Sequence, residues 1–381
     1  MKMKIFMLAV CATIFFTSVS AVSGLEPGDN APELLVEKWM KGLPVKISDG
    51  KDKNIFVIEF WATWCQPCMV SIPHLSELQK EYADKGVIIA GISTEKENVI
   101  AEFLKKQENM DYSVGLDNKG KTYSEYMGSE AGIPMCFLIG KQGKLLWKGH
   151  PMDIGRVLKL AIAGNLDIER QKKISKLHEK LQAVLNKQEM AAILKISEEI
   201  LDEDPSDELA ISTLLFTNES NNELDKSLEL ISRLQKKAPD DPKLYFYKLD
   251  LLNQAGAAAK DKQEECEKVL KQFGNDGEVL NSLSWMMMDR FKFGTFSMRI
   301  ALDAAEKAMK LLPAEAKPVK KSYFHATLAR AYYNIGKLDL AVQEQEKAVD
   351  FAKGVEPDSR SAIEFLEYYK DALKLNKSKS E

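Results

Sequence analysis

Two cysteines, separated only by Gln66 and Pro67, follow directly on the apolar run Ile55-Phe56-Val57-Ile58-Glu59-Phe60-Trp61. Thiols at i and i+3 share one face of a helix, close enough to open and close as a disulfide. The apolar run reads as a buried strand, and Trp64-Cys65-Gln66-Pro67-Cys68 as the start of the helix behind it. Free backbone N–H groups in that first turn stabilise a thiolate on the earlier sulfur. Such placement lowers a thiol pKa from ~8.5 into a range of about 3.5 to 7.5. Cys65 is therefore the expected nucleophile, and Cys68, one turn inward, the thiol that resolves a mixed disulfide. Pro67 falls in the first helical turn, where its missing N–H costs little. A zinc site is the competing reading of the pair. It needs further ligands, and the chain has no second Cys-x-x-Cys and no His-x-x-x-His, so neither metal nor cofactor is expected.

The elements that must hold these residues are legible in the periodicity. Strands are predicted at Ile55 to Phe60, Val87 to Ile92, Met135 to Ile139 and Lys144 to Lys148, the last two joined by the turn Gly140-Lys141-Gln142-Gly143. Met69, Ile72, Leu75, Leu78 and Tyr82 mark one face of a helix ending near Gly86, with a kink expected at Pro73. Further helices are predicted at Val99 to Gln107 and Ile154 to Ala163. Strands alternating with helices imply an α/β sheet, parallel in its first half, over residues 24–166.

Beyond Asp167 the strand-like runs disappear, and residues 167–381 read as helices rich in Ala, Leu, Glu and Lys. Pro205 and Pro239 close two similar segments 34 residues apart; Gly274 follows after 35 and Pro313 after 39. Glu306-Lys307-Ala308 recurs as Glu346-Lys347-Ala348, 40 residues on. This period and texture resemble tetratricopeptide repeats, with the best match at Leu328 to Ala341, where Gly336 takes the turn and Ala341 and Ala348 allow close helix approach. An irregular helical bundle is the plainer alternative.

At the N-terminus, Lys2 and Lys4 precede an apolar run from Ile5 to Phe16 and the small residues Thr17 to Ala21. Residues 1–23 read as a cleavable export signal, cut near Ala21 or Ser23, with Cys11 inside the removed peptide. The run is shorter than the ~20 residues a membrane span needs, and no later segment reaches that length, so a soluble exported or periplasmic product is expected. A net charge of −4 with scattered basic residues gives no footprint for nucleic acid. Removal of the signal leaves Cys65, Cys68, Cys136 and Cys266, too few for a disulfide scaffold in 381 residues. One close pair in an exported chain points to redox exchange.

The stretch Val57 to Cys68, with Gly132-Ile133-Pro134 about 65 residues later, resembles the thioredoxin fold. More narrowly, Phe60-Trp61-Ala62-Thr63-Trp64-Cys65-Gln66-Pro67-Cys68 is similar to the signature of the TlpA/ResA-like exported thiol-disulfide oxidoreductases, and Ala31-Pro32 fits that group's opening. The resemblance spans residues 26 to 165. It implies that Pro134 is the fold's cis-proline, turning the backbone of Ile133 toward Cys65 to pair with an extended substrate segment. The plain reading of Pro134 is a trans proline opening an edge strand. The resemblance also places Glu59 where thioredoxin has its buried acid. Burial would raise its pKa and suit it to accept and return the Cys68 proton; the alternative is a carboxylate reaching solvent at the strand end. Trp64 is expected to shield the disulfide and offer a flat apolar contact, and Trp61 to be core. Relatives commonly carry Arg and Glu where this chain has Met69 and Ser71, a departure that removes both charges. Cys136 reads most simply as a small buried hydrophobe, with a third redox thiol as the alternative, and His74 and His150 read as surface residues.

The resulting expectation is an exported thiol-disulfide oxidoreductase, reducing protein disulfides, recharged by an upstream thiol protein, with helical repeats that hold a peptide or protein partner. Two other readings stand beside it. One is a peroxiredoxin-like thiol peroxidase; the other is a repeat scaffold or adaptor in which the redox domain is secondary.

Overall fold

The computed structural model describes residues 24–107, 109–128, 132–289, 298–353 and 358–378. The expected export signal and its cleavage site lie outside these residues. The chain divides into two compact units, at Ala183 and Val184.

The first unit is built on a six-stranded sheet in the order β1-β4-β3-β2-β5-β6. Its strands are β1 Val36–Lys41, β2 Ile55–Phe60, β3 Val87–Ser93, β4 Ser113–Asp117, β5 Met135–Ile139 and β6 Leu145–Gly149. β2, β3 and β4 run parallel, whereas β1 pairs antiparallel with β4 and the β5–β6 hairpin antiparallel with β2. The parallel half and the four predicted strands are therefore present. β2 is buried along its whole length, because both sheet faces are covered. Side chains alternate across the pleat: Ile55 and Val57 join the face packed by α1 (Gln66–Tyr82) and α4 (Ile154–Ile162), while Phe56, Ile58 and Phe60 join the opposite face with Tyr126, Phe137 and Ile139.

β1 and β4 were not legible from the pattern. β1 is a half-exposed edge strand with three charged residues in six, and β4 is only five residues long with a glycine inside it. α2 spans Glu97–Lys106 and the short, polar α3 spans Lys121–Met127. The Ala31-Pro32 opening is tied to the sheet domain: the Ala31 N–H donates to the Gly143 carbonyl and the Tyr126 hydroxyl to the Pro32 carbonyl. α5 (Ile168–Lys187) begins in this unit, where the Ser175 hydroxyl and Lys148 both donate to the Glu26 carboxylate.

The second unit contains, among the described residues, a run of helices: α6 Met190–Glu203, α7 Glu208–Ser220, α8 Leu224–Lys237, α9 Pro242–Gln254, α10 Ala259–Gln272, α11 Gly277–Asp289, α12 Met298–Leu311, α13 Pro318–Asn334, α14 Leu338–Ala352 and α15 Asp358–Ser378. Pro205, Pro239, Gly274 and Pro313 each follow an even-numbered helix, so the sequence period corresponds to a pair of helices. The 40-residue recurrence of Glu306-Lys307-Ala308 at Glu346-Lys347-Ala348 has a local source, since α13, which lies between the two copies, has 17 residues where α7, α9 and α11 have 13. Asp207 and Asp241 cap α7 and α9 by accepting first-turn N–H groups. Gly336 adopts φ +79 in the turn between α13 and α14, a left-handed conformation that a side chain would strain. Buried Ala301, Ala304, Ala305, Ala308, Ala329, Ala341 and Ala348 let neighbouring helices approach closely.

Candidate active site

Cys65 ends the loop after β2 and is the N-cap of α1. Its backbone is extended (φ −84, ψ 99), which lets its sulfur turn back over the open helix end, where it accepts the Cys68 N–H at 3.2 Å. The two cysteines are joined in a disulfide with Cα atoms 5.2 Å apart. The sulfur pair is shielded: Cys65 is 4% exposed and Cys68 fully buried, whereas the neighbouring Trp64 is 69% and Val70 65% exposed. Pro67 occupies the first turn, and α1 continues unbroken through Pro73 to Tyr82. At a helix N-terminus the converging N–H groups favour a thiolate once the disulfide is opened.

Glu59 lies on the face of β2 beneath α1, two residues from Val57 along the pleat. It is fully buried and does not reach solvent at the strand end. Its carboxylate is held by two neutral hydroxyls: Ser71 of α1 donates to Oε1 at 3.0 Å, and Tyr112, just before β4, donates to Oε2 at 2.7 Å. Burial raises the Glu59 pKa from 4.5 to about 7, against the smaller lowering effect of those two hydrogen bonds. The acid is thus poised to change protonation state at neutral pH.

Cys136 stands opposite Glu59 in the β2–β5 ladder. Burial, then the Glu59 charge, push its thiol well above the ordinary range, so it stays protonated and behaves as a hydrophobe. The Ile133–Pro134 peptide bond is cis and leads into β5. Trp61 is core, its ring packed at a tilt of 46° against Phe103 with centroids 5.2 Å apart. His150 accepts the Met152 N–H and closes the turn after β6. Cys266 lies in the second unit, buried on α10, its thiol pushed up to about 12 by burial.

One residue escaped sequence reasoning. Glu95, just past β3, accepts both the backbone N–H (2.7 Å) and the hydroxyl (2.8 Å) of Thr63, bracing the loop that presents Trp64 and Cys65. Only the adjacency of β2 and β3 brings Glu95 to that loop, so no spacing along the chain signals it. Among the described residues, no three His, Cys, Asp or Glu side chains cluster as a metal ion would require.

Residues 27–148 match the AhpC/TSA family. The thiol-disulfide oxidoreductase ResA of Bacillus thuringiensis subsp. konkukian is 30% identical over 146 residues, which are 37% of this chain and 82% of that protein. The chain belongs to the ResA family of thiol-disulfide oxidoreductases. ResA of Bacillus subtilis, at 27% identity over 145 residues, covers the same 37% of this chain and 79% of its own length. Among solved structures, a putative thiol:disulfide interchange protein DsbE from Chlorobium tepidum is 30% identical, covering 38% of this chain and all of that one, with a TM-score of 0.32. In this ResA-family enzyme the Cys65–Cys68 disulfide heads α1, and the β2 carboxylate of Glu59 accepts a hydrogen bond from Ser71 of that same helix.

Proposed function

We propose that this ResA-family oxidoreductase works outside the cytoplasm, reducing disulfides in protein substrates, while its helical unit holds a peptide or protein partner. The observation that carries the reading is the Cys65–Cys68 pair at the head of α1 with Glu59 buried beneath it. In the reduced enzyme the Cys65 thiolate attacks a substrate disulfide; a Cys65–substrate disulfide forms and one substrate sulfur leaves as a thiolate that takes up a proton. Glu59 then accepts the Cys68 proton, and Cys68 attacks Cys65. The Cys65–Cys68 bond forms, and the second substrate sulfur leaves with the electron pair and is protonated. Two electrons have passed from the enzyme dithiol to the substrate. An upstream dithiol protein returns them.

The exposed Trp64 and Val70, with the Pro67 turn, supply an apolar surface beside the sulfurs, and Ile133, ahead of Pro134, a backbone edge for an extended substrate segment. The leader expected over residues 1–23 supports export. Breaker residues after alternate helices, at spacings of 34 and 35, support a tetratricopeptide-like solenoid over 167–381 following a thioredoxin-like domain over 24–166.

The test is a Cys68→Ser variant, exported in the cell, with mass spectrometry of proteins disulfide-linked to Cys65, paired with turnover of a model protein disulfide by the wild type supplied with a dithiol. Captured partners absent from Cys65→Ser, together with turnover, are expected. Peroxide consumption without turnover of protein disulfides would replace this reading with a thiol peroxidase. A cellular role that survives loss of both cysteines but not deletion after Asp167 would replace it with a scaffold.

A further inference from the structure

Ser71 is fully buried, and its hydroxyl oxygen lies 3.0 Å from Glu59 Oε1 and 3.0 Å from the Cys68 carbonyl oxygen. A serine hydroxyl has a single hydrogen to give and can also accept, so it can donate to only one of these oxygens at a time. We propose that Ser71 is a positioning residue that couples the buried acid to the turn carrying Cys68, its one hydrogen changing partner as Glu59 gains or loses a proton. The inference rests on the proposed role of Glu59 as proton acceptor and adds a route by which that role reaches the cysteine.

With Glu59 ionised, the charged Oε1 is the stronger acceptor and holds the Ser71 hydrogen, while the Tyr112 hydroxyl donates to Oε2. Once Glu59 has taken the Cys68 proton, Oε1–H donates to the Ser71 oxygen, and the Ser71 hydrogen swings onto the Cys68 carbonyl. No proton passes through Ser71 and no charge is lost; the hydroxyl rotates. The protonated acid is thereby left with an acceptor, and the helix turn that bears the attacking sulfur gains a hydrogen bond in that state alone. A serine satisfied only by its own helix would need just the carbonyl three residues back. The second oxygen at the same distance is what separates the two roles.

The surroundings of Glu59 leave its titration uncontested near neutrality. β3 contributes Gly91, which has no side chain, and β5 contributes Cys136, whose buried thiol stays protonated. The Tyr112 hydroxyl is held well above its ordinary range by burial. From α1 comes the neutral Ser71, and Cys68, three residues before it, is locked in the disulfide in the oxidised protein.

The experiment uses the oxidised full chain labelled with carbonyl-13C cysteine and side-chain carboxyl-13C glutamate, titrated by NMR from pH 5 to 9. The Cys68 carbonyl resonance is expected to follow the Glu59 midpoint in the wild type and in Tyr112→Phe. In the latter both midpoints move upward together by about one pH unit, as loss of one donor to a carboxylate implies. In Ser71→Ala, Glu59 still titrates and the Cys68 carbonyl no longer responds; Ser71→Thr restores the response. Ser71→Cys, a weaker donor of similar size, gives a reduced response and serves if the alanine variant does not fold. Resolution of a Cys65 mixed disulfide should slow about fivefold in Ser71→Ala, the factor a single neutral hydrogen bond supplies. A Cys68 carbonyl that stays flat while Glu59 titrates, or that responds equally in Ser71→Ala, overturns the coupling and leaves the acid's role intact. A Glu59 midpoint in the ordinary carboxylate range would instead remove the acid itself.

Discussion

Replacing Glu59 with glutamine should stabilise the protein, and increasingly so as the pH rises. Folding moves the Glu59 carboxyl from a pKa of 4.5 to about 7, because burial penalises the ion more than the Ser71 and Tyr112 hydroxyls support it. An acid with a raised folded-state pKa favours the fold below its unfolded-state pKa, and that contribution is lost as the pH climbs through the folded-state value. With those two values, ionisation costs the native state about 1 kcal/mol at pH 5 and about 3 kcal/mol at pH 8. Glutamine reproduces the protonated acid: its oxygen can accept from Tyr112 and its amide can donate to Ser71. Glu59→Gln should therefore gain about 2 kcal/mol on the wild type between pH 5 and pH 8. The assay is urea unfolding of the oxidised protein followed by tryptophan fluorescence, which reports chiefly on the first unit because Trp39, Trp61, Trp64 and Trp147 lie there and only Trp285 lies elsewhere. Parallel pH dependences for wild type and variant would refute the burial argument, and with it the basis for a proton acceptor at this position.

Three further outcomes follow from the same geometry. Cys136→Ala should leave the rate of disulfide exchange within about twofold and lower stability by roughly 1 kcal/mol, since the thiol fills core space but stays protonated; a large fall in exchange rate would restore it as a third redox thiol. Gly91→Ala would place a methyl 3.0 Å from both Trp61 Nε1 and Tyr112 Cε2, and should cost about 1 to 3 kcal/mol in denaturant unfolding. Trp64→Ala removes an apolar surface beside the disulfide and should lower kcat/KM for protein disulfides by about tenfold while changing reduction of a small aliphatic disulfide little; equal losses on both substrates would assign Trp64 to the sulfur chemistry instead.

The chemistry was legible early because it is local. A CxxC at a strand-to-helix junction needs only i, i+3 spacing and a helix N-terminus, both visible within a dozen residues, and β2 announces itself as an apolar run interrupted only by Glu59. β1 and β4 were missed because an edge strand with one wet face, and a five-residue strand containing Gly115, carry too little pattern to rise above their surroundings. Glu95 was missed for a different reason. Its partner Thr63 is 32 residues away, and only the parallel pairing of β2 with β3 brings them together.

The chain alone determined which residues can form a disulfide, that one buried strand carries a carboxylate, and that alternating elements give way to helices after Asp167. Each of these is a property of neighbours in sequence: spacing, period and composition. The folded arrangement decided what surrounds the acid. Ser71 comes to Glu59 from a helix 12 residues on and Tyr112 from a loop 53 residues on, and no local pattern encodes that meeting. Desolvation depends on everything packed around a group, so the protonation state of Glu59 at neutral pH is a property of the whole sheet-and-helix sandwich and of no segment within it.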